Sequence, residues 1–159
     1  MDAVVAVYAD WGIGARGTQP LVIPADRVRF RELTTGHTVL VGRKTLADFP
    51  GGRPLKNRRN IVLTRQELEI PGAETVHSAA QAAEVIGEDG FVIGGASVYE
   101  EMFPYLTRVY VTKIQAAPES DAFFPDLDAR TDWRCTQAEP WQEQDGVAYQ
   151  FCVYEKVDD

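Results

Sequence analysis

The chain has 159 residues, of which 45% are hydrophobic and 25% charged, and a formal net charge of −8. One domain is expected at this length, and no run approaches the roughly 18 apolar residues of a membrane span. The N-terminus MDAVVAVYADWG lacks the basic region and apolar length of a signal peptide, and two cysteines without CxxC spacing and two isolated histidines offer no metal site, so a cytosolic, metal-free protein is expected.

In chain order, AVVAVYA (3–9) is an apolar, β-branched run that reads as a buried strand. DWGIGARGTQ (10–19) carries three glycines and reads as a flexible loop leaving a strand end, a common place for a lid. Pro24-Ala25-Asp26 opens a helix that runs to about Thr35, where Gly36 stops it. HTVLVG (37–42) is a second strand, and RKTLADF (43–49) a short helix ended by Pro50-Gly51-Gly52. NIVLT (60–64) and ETVH (74–77) are strands, and SAAQAAEVIG (78–87) is a helix. FVIGG (91–95) is a strand feeding the helix SVYEEMFPYL (97–106), and RVYVTKIQ (108–115) is a long strand. WRCTQAE (133–139) and VAYQFCVYEK (147–156) predict an antiparallel hairpin across PWQEQDG.

Cys135 and Cys152 fall in these last strands and are expected as small buried hydrophobes, unbridged in a reducing compartment. Strands alternating with helices predict a single-domain α/β fold: a central, mostly parallel mixed sheet, flanking helices and a C-terminal antiparallel hairpin. No long apolar stripe is left over, so a monomer is expected.

Charge is uneven along the chain. Residues 27–65 hold ten basic and two acidic residues, a balance of +8, while the remaining 120 hold six basic and 22 acidic, a balance of −16. One basic segment in an acidic protein points to a localised anion site. The acidic remainder disfavours nucleic acid, so a nucleotide-sized polyanion fits better.

Two strand–glycine–helix junctions fit such an anion. VLVGRKT has Gly42 at a strand end, and FVIGGASVYEE has Gly94-Gly95 there. Helix starts offer free N–H groups, and glycine lets a phosphate approach the backbone. Each junction alone also reads as plain structure: Ser97 with Glu100 spells a capping box, and the glycines spell a tight turn. Arg43, Lys44, Thr64 and Arg65 gather cations and a hydroxyl beside the same strand ends. A guanidinium fork suits a phosphate monoester such as an adenosine 2′-phosphate. Asp26 likewise has two readings. It is either an ordinary first-turn helix acid, or a carboxylate behind the apolar QPLVIPA run that faces a ligand with two N–H donors.

Together these features resemble dihydrofolate reductase along essentially the whole chain. VVAVYADWGIG, PxxIPAD with Phe30 four residues later, TVLVGRKT, GRPLKNRRNIVLT, FVIGGASVYEEM, RVYVTKI and SDAFFPD are each similar to a block of that family, in order. The resemblance implies a dihydrofolate-reductase-like domain over 1–159, with an adenosine-binding subdomain near 37–88. It implies reduction of 7,8-dihydrofolate to tetrahydrofolate for one-carbon metabolism, by hydride transfer from NADPH to C6 with protonation at N5, and inhibition by antifolates. Asp26 would take the pterin's 2-amino group and ring N–H in a two-point bond, seconded by Thr112. Val5, Ala6, Leu21, Phe30, Phe49, Leu55 and Ile93 would wall the pterin and benzoyl rings, and Arg58 would hold the glutamate α-carboxylate. Ile13 and Gly14 would close over the nicotinamide, with Ala6, Ile93 and Tyr99 close to that ring and Asp121 bracing the closing loop. Gly42, Arg43, Lys44 and Thr45, with Gly94 and Gly95 (joined by a cis peptide in this family), Ala96, Ser97 and Val98, would cradle the pyrophosphate. Arg43, Thr64 and Arg65 would read the 2′-phosphate, with Leu63 and His77 nearby.

The chain departs from the family in three places. Leu21 stands where a Trp is usual, and Leu has no N–H to hold an ordered water against the pterin, so altered antifolate sensitivity is expected. Arg27 follows the acid where an apolar residue is common. It reads either as a partner for a glutamate carboxylate at the pocket mouth or as a solvated helix residue. PGGRPL is one residue longer than usual. Two other functions stay open: an NADPH-dependent reductase of the riboflavin pathway, and a nucleotide-binding protein that has lost turnover. Asp26 after IPA, and Arg58 for an acidic tail, favour folate.

Overall fold

A computed structural model of the chain describes residues 1–157. Nine strands form a mixed sheet, a two-stranded ribbon stands apart from it, and the chain divides into two compact units. The architecture is the expected α/β one.

The first unit comprises Met1–Ala3 and Arg31–Leu106. Its strands β3 (Thr38–Gly42), β4 (Arg59–Leu63), β5 (Ala73–Val76) and β6 (Gly90–Gly94) are all parallel, in the order β6-β3-β4-β5. Asp2 and Ala3, which open β1 (Asp2–Val7), pair in parallel with Phe91 and Val92. Val39, Leu40, Val41, Ile61, Val62 and Val92 are fully buried. Helices cover both faces of a parallel sheet, which is why these strands read as unbroken apolar runs. The helices of this unit are α2 (Arg43–Ala47), α3 (Ala79–Ile86) and α4 (Ala96–Met102), and the chain up to Thr34 completes α1 (Pro24–Thr34).

Two helix ends differ from expectation. Ser97 forms no cap: α4 starts one residue earlier, its N-cap is Gly95 with no side-chain cap bond, and Ser97 is an exposed residue inside the helix. The serine that caps a helix is Ser78, whose hydroxyl accepts the Gln81 N–H at 3.1 Å. At its other end α4 stops at Met102 and tightens into a 3₁₀ turn over Phe103–Tyr105, because Pro104 has no N–H with which to continue the ladder.

The second unit comprises Val4–Phe30 and the chain from Thr107 onward. Here β11 (Val147–Lys156) runs antiparallel to β7 (Arg108–Ile114), and β7 neighbours the rest of β1. The C-terminal pairing is antiparallel, but it is not one simple hairpin. Residues 142–144 of the expected connection form a strand of their own, β10, turning tightly at Asp145 (φ 53°) and Gly146 (φ 79°) onto the start of β11. Two successive positive φ values suit the right-handed twist of a two-residue hairpin. The strand β9 (Trp133–Ala138) then pairs with the far half of β11, with a bulge at Val153/Tyr154.

Cys152 on β11 is buried, and burial pushes its thiol up to about 11. Cys135 corrects the expectation: it is exposed, because β9 is an edge strand whose residues 134–138 all face solvent, and both thiols are free.

The glycine-rich segment 10–19 also differs from a loop. Gly12–Gly14 form β2, which pairs with β8 (Ala122–Phe123), and Ala15 bridges Thr18 across a tight turn at Arg16 (φ 54°) and Gly17 (φ 77°). Its strand partner lies about a hundred residues away, so no local periodicity announces it. Among the described residues, no helix is long and apolar enough to cross a membrane.

Candidate active site

In the second unit the acid of the IPAD segment sits in the first turn of α1. Ile23, 2% exposed, anchors the approach, and the Asp26 N–H bonds the Ile23 carbonyl at 2.9 Å. The helix start is held from β10, where Gln144 Oε1 accepts the Ala25 N–H at 2.8 Å. The Thr112 hydroxyl on β7, itself 1% exposed, donates to Asp26 Oδ1 at 2.6 Å across 86 positions of sequence. Burial raises the Asp26 carboxyl above the ordinary carboxylate range; the Thr112 bond and the charges of Arg29 and Arg27 oppose that rise without cancelling it. Desolvation thus creates a carboxylate that would be strongly stabilised by a ligand bringing two N–H donors.

Among the other expected lining residues of this unit, Val5 is buried and Ala6 and Phe30 are half-buried, while Arg27 is exposed on the helix. Val5 and Ala6 are successive on β1 and so point to opposite faces. Ala6 packs with Leu21 against the cluster of Tyr8, Ile23, Ile114 and Tyr149. Leu21 is fixed through its backbone. The Tyr8 hydroxyl donates to the Leu21 carbonyl at 2.8 Å and accepts the Leu21 N–H at 3.1 Å. The Gln19 amide reaches the Ala6 carbonyl at 3.5 Å.

Ile13 is half-buried in β2, and Gly14 (φ 141°) is buried where a Cβ would stand 2.4 Å from the Thr18 carbonyl oxygen. Asp121 ties this segment down at both ends: its carboxylate accepts the Arg16 N–H at 2.9 Å, and its own N–H donates to the Gly14 carbonyl at 2.9 Å.

In the first unit the two glycine junctions face each other. A Cβ on Gly42 would lie 2.9 Å from Val98 Cγ2, and one on Gly95 would lie 2.8 Å from Thr45 Oγ1. Only glycine permits this approach of the α2 and α4 starts, and neither start has a side-chain cap bond. Gly94 and Gly95 are joined by a cis peptide. A Cβ on Gly94 would lie 3.4 Å from the Tyr99 ring, itself buried as Val98 is. Arg43, Lys44, Ala96 and Ser97 are exposed beside this cradle, and Thr45 is half-buried.

Leu63 and Thr64 are buried at the end of β4, and the Thr64 hydroxyl accepts the Gln66 N–H at 3.2 Å. Arg65 is exposed but engaged, donating to the His77 carbonyl at 3.2 Å and to the Glu101 carboxylate on α4. His77 Nδ1 donates to the Thr64 carbonyl at 2.8 Å, which assigns the proton to that nitrogen. Phe49 and Ile93 pack against Val41, Leu46 and Val62.

Leu55 and Arg58 lie on a segment clamped by Asn60. The half-buried Arg58 bonds neutral oxygens, the Lys56 carbonyl at 2.9 Å and the Thr34 hydroxyl at 3.2 Å. Burial and then the charge of Arg31 lower its pKa. Tyr8, Arg29, Asn60 and Glu101 escape motif reading. The faint signals were a polar residue opening the apolar run NIVLT, and a cation one turn beyond the acid.

Among the described residues, no cluster of His, Cys, Asp and Glu could hold a metal. The arrangement offers a desolvated acid in one unit and, in the other, a glycine-permitted backbone cradle flanked by cations.

Comparison with known proteins agrees with this chemistry. The profile of the family described as dihydrofolate reductase matches residues 1–156. The chain is 37% identical to dihydrofolate reductase of Bacillus subtilis (strain 168), over 96% of this chain and 92% of that protein. It is 40% identical to dihydrofolate reductase of Neisseria gonorrhoeae, over 89% of each. A solved structure of Enterococcus faecalis dihydrofolate reductase, complexed with NADP(H) and RAB-propyl, superposes with a TM-score of 0.87 at 31% identity, covering 99% of this chain and 96% of that one.

Proposed function

The chain belongs to the dihydrofolate reductase family, and on that premise we propose that it uses NADPH to reduce 7,8-dihydrofolate to 5,6,7,8-tetrahydrofolate. The Asp26–Thr112 pair carries the reading: a desolvated carboxylate, oriented by one short bond at 2.6 Å, is what a pterin's 2-amino group and ring N–H require. Held there, the carboxylate favours a proton on the ring and so promotes protonation at N5. When bound, NADPH supplies the hydride taken up at C6. The protein's own contribution is orientation and electrostatics.

The residues fit the cofactor. Gly42 and Gly95 leave a backbone surface that a Cβ would fill, suited to the pyrophosphate with Arg43, Lys44, Thr45 and residues 94–98 around it. Arg43, Thr64 and Arg65 are proposed to read the 2′-phosphate, which requires Arg65 to leave Glu101. Arg58, bonded to the neutral Lys56 carbonyl and Thr34 hydroxyl, and the exposed Arg27 are proposed for the carboxylates of the glutamate tail.

The test follows NADPH absorbance with dihydrofolate, with a dihydropterin lacking the glutamate tail, and with a pyrimidinone ribityl substrate. Turnover of dihydrofolate, with a higher KM for the tailless pterin, is expected. Turnover of the ribityl substrate instead would move the chain to the riboflavin pathway, and tight NADPH binding without turnover of any of the three would leave a binding protein.

Leu21 sets a second expectation, for antifolates. A Trp there would supply an N–H for an ordered water, worth about 0.5–1.5 kcal/mol net. Leu21→Trp is therefore expected to change the inhibition constant of a diaminopyrimidine by about two- to tenfold. Identical inhibition of both proteins would remove this role from Leu21.

A further inference from the structure

Arg29 places a cation in the half-buried face of α1, one turn after Asp26. Burying a guanidinium is costly unless its donors are satisfied. Its Nη1 donates to the Val111 carbonyl on β7 at 3.0 Å, and its Nη2 to the Cys152 carbonyl on β11 at 3.3 Å. The fork thus ties the helix to two strands at once. The guanidinium also stacks 4.5 Å above the Phe151 ring and lies 5.8 Å from the centre of the Tyr110 ring. Val111 immediately precedes Thr112, the residue whose hydroxyl donates to Asp26, so one arm of the fork grips the strand next to the Asp26 bond.

We propose that Arg29 is a positioning residue for Asp26: its fork fixes the separation of α1 from Thr112, and it places a fixed positive charge one turn from the carboxylate. The geometry stands independently of the folate reading, and only the kinetic consequence rests on it.

The electrostatics agree. Asp26 faces Arg29 and Arg27 from its own helix and the neutral Thr112 from β7. Arg29 in turn is faced by Glu139, Asp26, Tyr110 and Cys152. Burial lowers its pKa and these four groups oppose that, yet an arginine keeps its charge throughout the accessible range. Arg27 is open to solvent and its effect on Asp26 is the weaker of the two. The half-buried Arg29 is therefore the charge that matters to the carboxylate.

The experiment titrates the Asp26 side-chain carboxyl by carbon-13 NMR in the ligand-free protein, with the pH profile of kcat/KM recorded alongside. Arg29→Met keeps a long apolar stem and removes both fork and charge. Its Asp26 midpoint is expected to rise by about one pH unit or more, a tenfold change in the ionised fraction on the acid side. The limb of the rate profile governed by Asp26 should move equally far in the same direction. Arg29→Lys, which keeps the charge, should shift the midpoint less than half as far.

Val111 and Cys152 are partners in the β7–β11 ladder, so losing the fork unties the helix from the strands without orphaning their carbonyls, and Arg29→Gln is the second variant. It keeps amide donors and loses the charge, and its midpoint must also rise. A midpoint that stays put in folded Arg29→Met or Arg29→Gln overturns the proposal. A midpoint that moves in a chain that turns over no dihydrofolate supports it, while refuting the folate reading separately.

Discussion

Asp26→Asn is expected to lower kcat/KM for dihydrofolate at neutral pH by about a hundredfold to ten-thousandfold, the range a positioned acid–base group supplies. The substitution is nearly isosteric. Its carbonyl oxygen can still accept the Thr112 hydroxyl, now at 2.6 Å from Oδ1, so the helix and β7 stay together. What it loses is chemical: an amide presents one acceptor where the carboxylate presents two, and it carries no charge to favour a proton on the bound ring.

Stability should move the other way. Burial holds the Asp26 carboxyl above its ordinary range, so the folded chain binds that proton more tightly than the unfolded one. The group's contribution to stability is full below the unfolded value and is lost as pH rises through the raised folded value. Above that raised value the wild-type chain carries an ionised, desolvated carboxylate that the Asn variant does not. The variant should melt at a higher temperature than the parent at pH 7, and the gap should close in acid. Steady-state kinetics and calorimetry across pH measure both halves. Full activity of the variant at neutral pH would remove the assigned role, and a lower melting temperature there would mean the carboxylate stabilises the fold.

Much of this site is legible in the linear sequence, and most of the failures share one cause. The buried parallel strands announce themselves as apolar runs, because both faces of Val39–Val41 and Ile61–Leu63 are covered. The glycine junctions are legible because close backbone approach has few chemical solutions, and Gly42 and Gly95 stand where a Cβ would collide. Asp26 is legible as an acid in a first turn, but its partner Thr112 came only with the family resemblance, since 86 residues separate them. The same distance hides β2, whose partner β8 is over a hundred residues on. A separation of 36 residues likewise hides Glu101, which occupies the Arg65 guanidinium read from sequence as free for a phosphate. The Ser97 cap failed for a local reason: the cap forms wherever the helix starts, and the glycine pair moved that start by one residue. Long-range pairing, more than propensity, separates what a sequence reveals from what it conceals.

Asn60→Ala is expected to destabilise the chain by about 2–4 kcal/mol and to raise KM for dihydrofolate with little change in kcat. Asn60 is the second residue of β4 and is 3% exposed. Its Oδ1 accepts the Leu55 N–H at 3.0 Å, and its Nδ2 donates to the carbonyls of Leu55 at 2.8 Å and Arg58 at 2.9 Å. One side chain therefore replaces the ladder that residues 55–58 lack, across a turn where Asn57 has φ 60°. Alanine leaves three backbone groups to find new partners. Each buried orphan costs about 1–3 kcal/mol, and partial access to water keeps the total below their sum. At roughly 2–4 °C per kcal/mol for a chain of this size, the melting temperature should fall by about 5–15 °C. The kinetic half follows from what the segment carries. Leu55 and Arg58 are proposed to meet the benzoyl ring and the glutamate tail, groups remote from the reacting atoms. Loosening them removes binding that ground state and transition state share, which appears in KM. The tailless dihydropterin is the control, because its KM should respond less than that of dihydrofolate. A loss of stability below about 1 kcal/mol would show that the segment is held by other contacts. An equal rise in KM for both substrates would show that Asn60 acts through the fold at large and does not position Arg58.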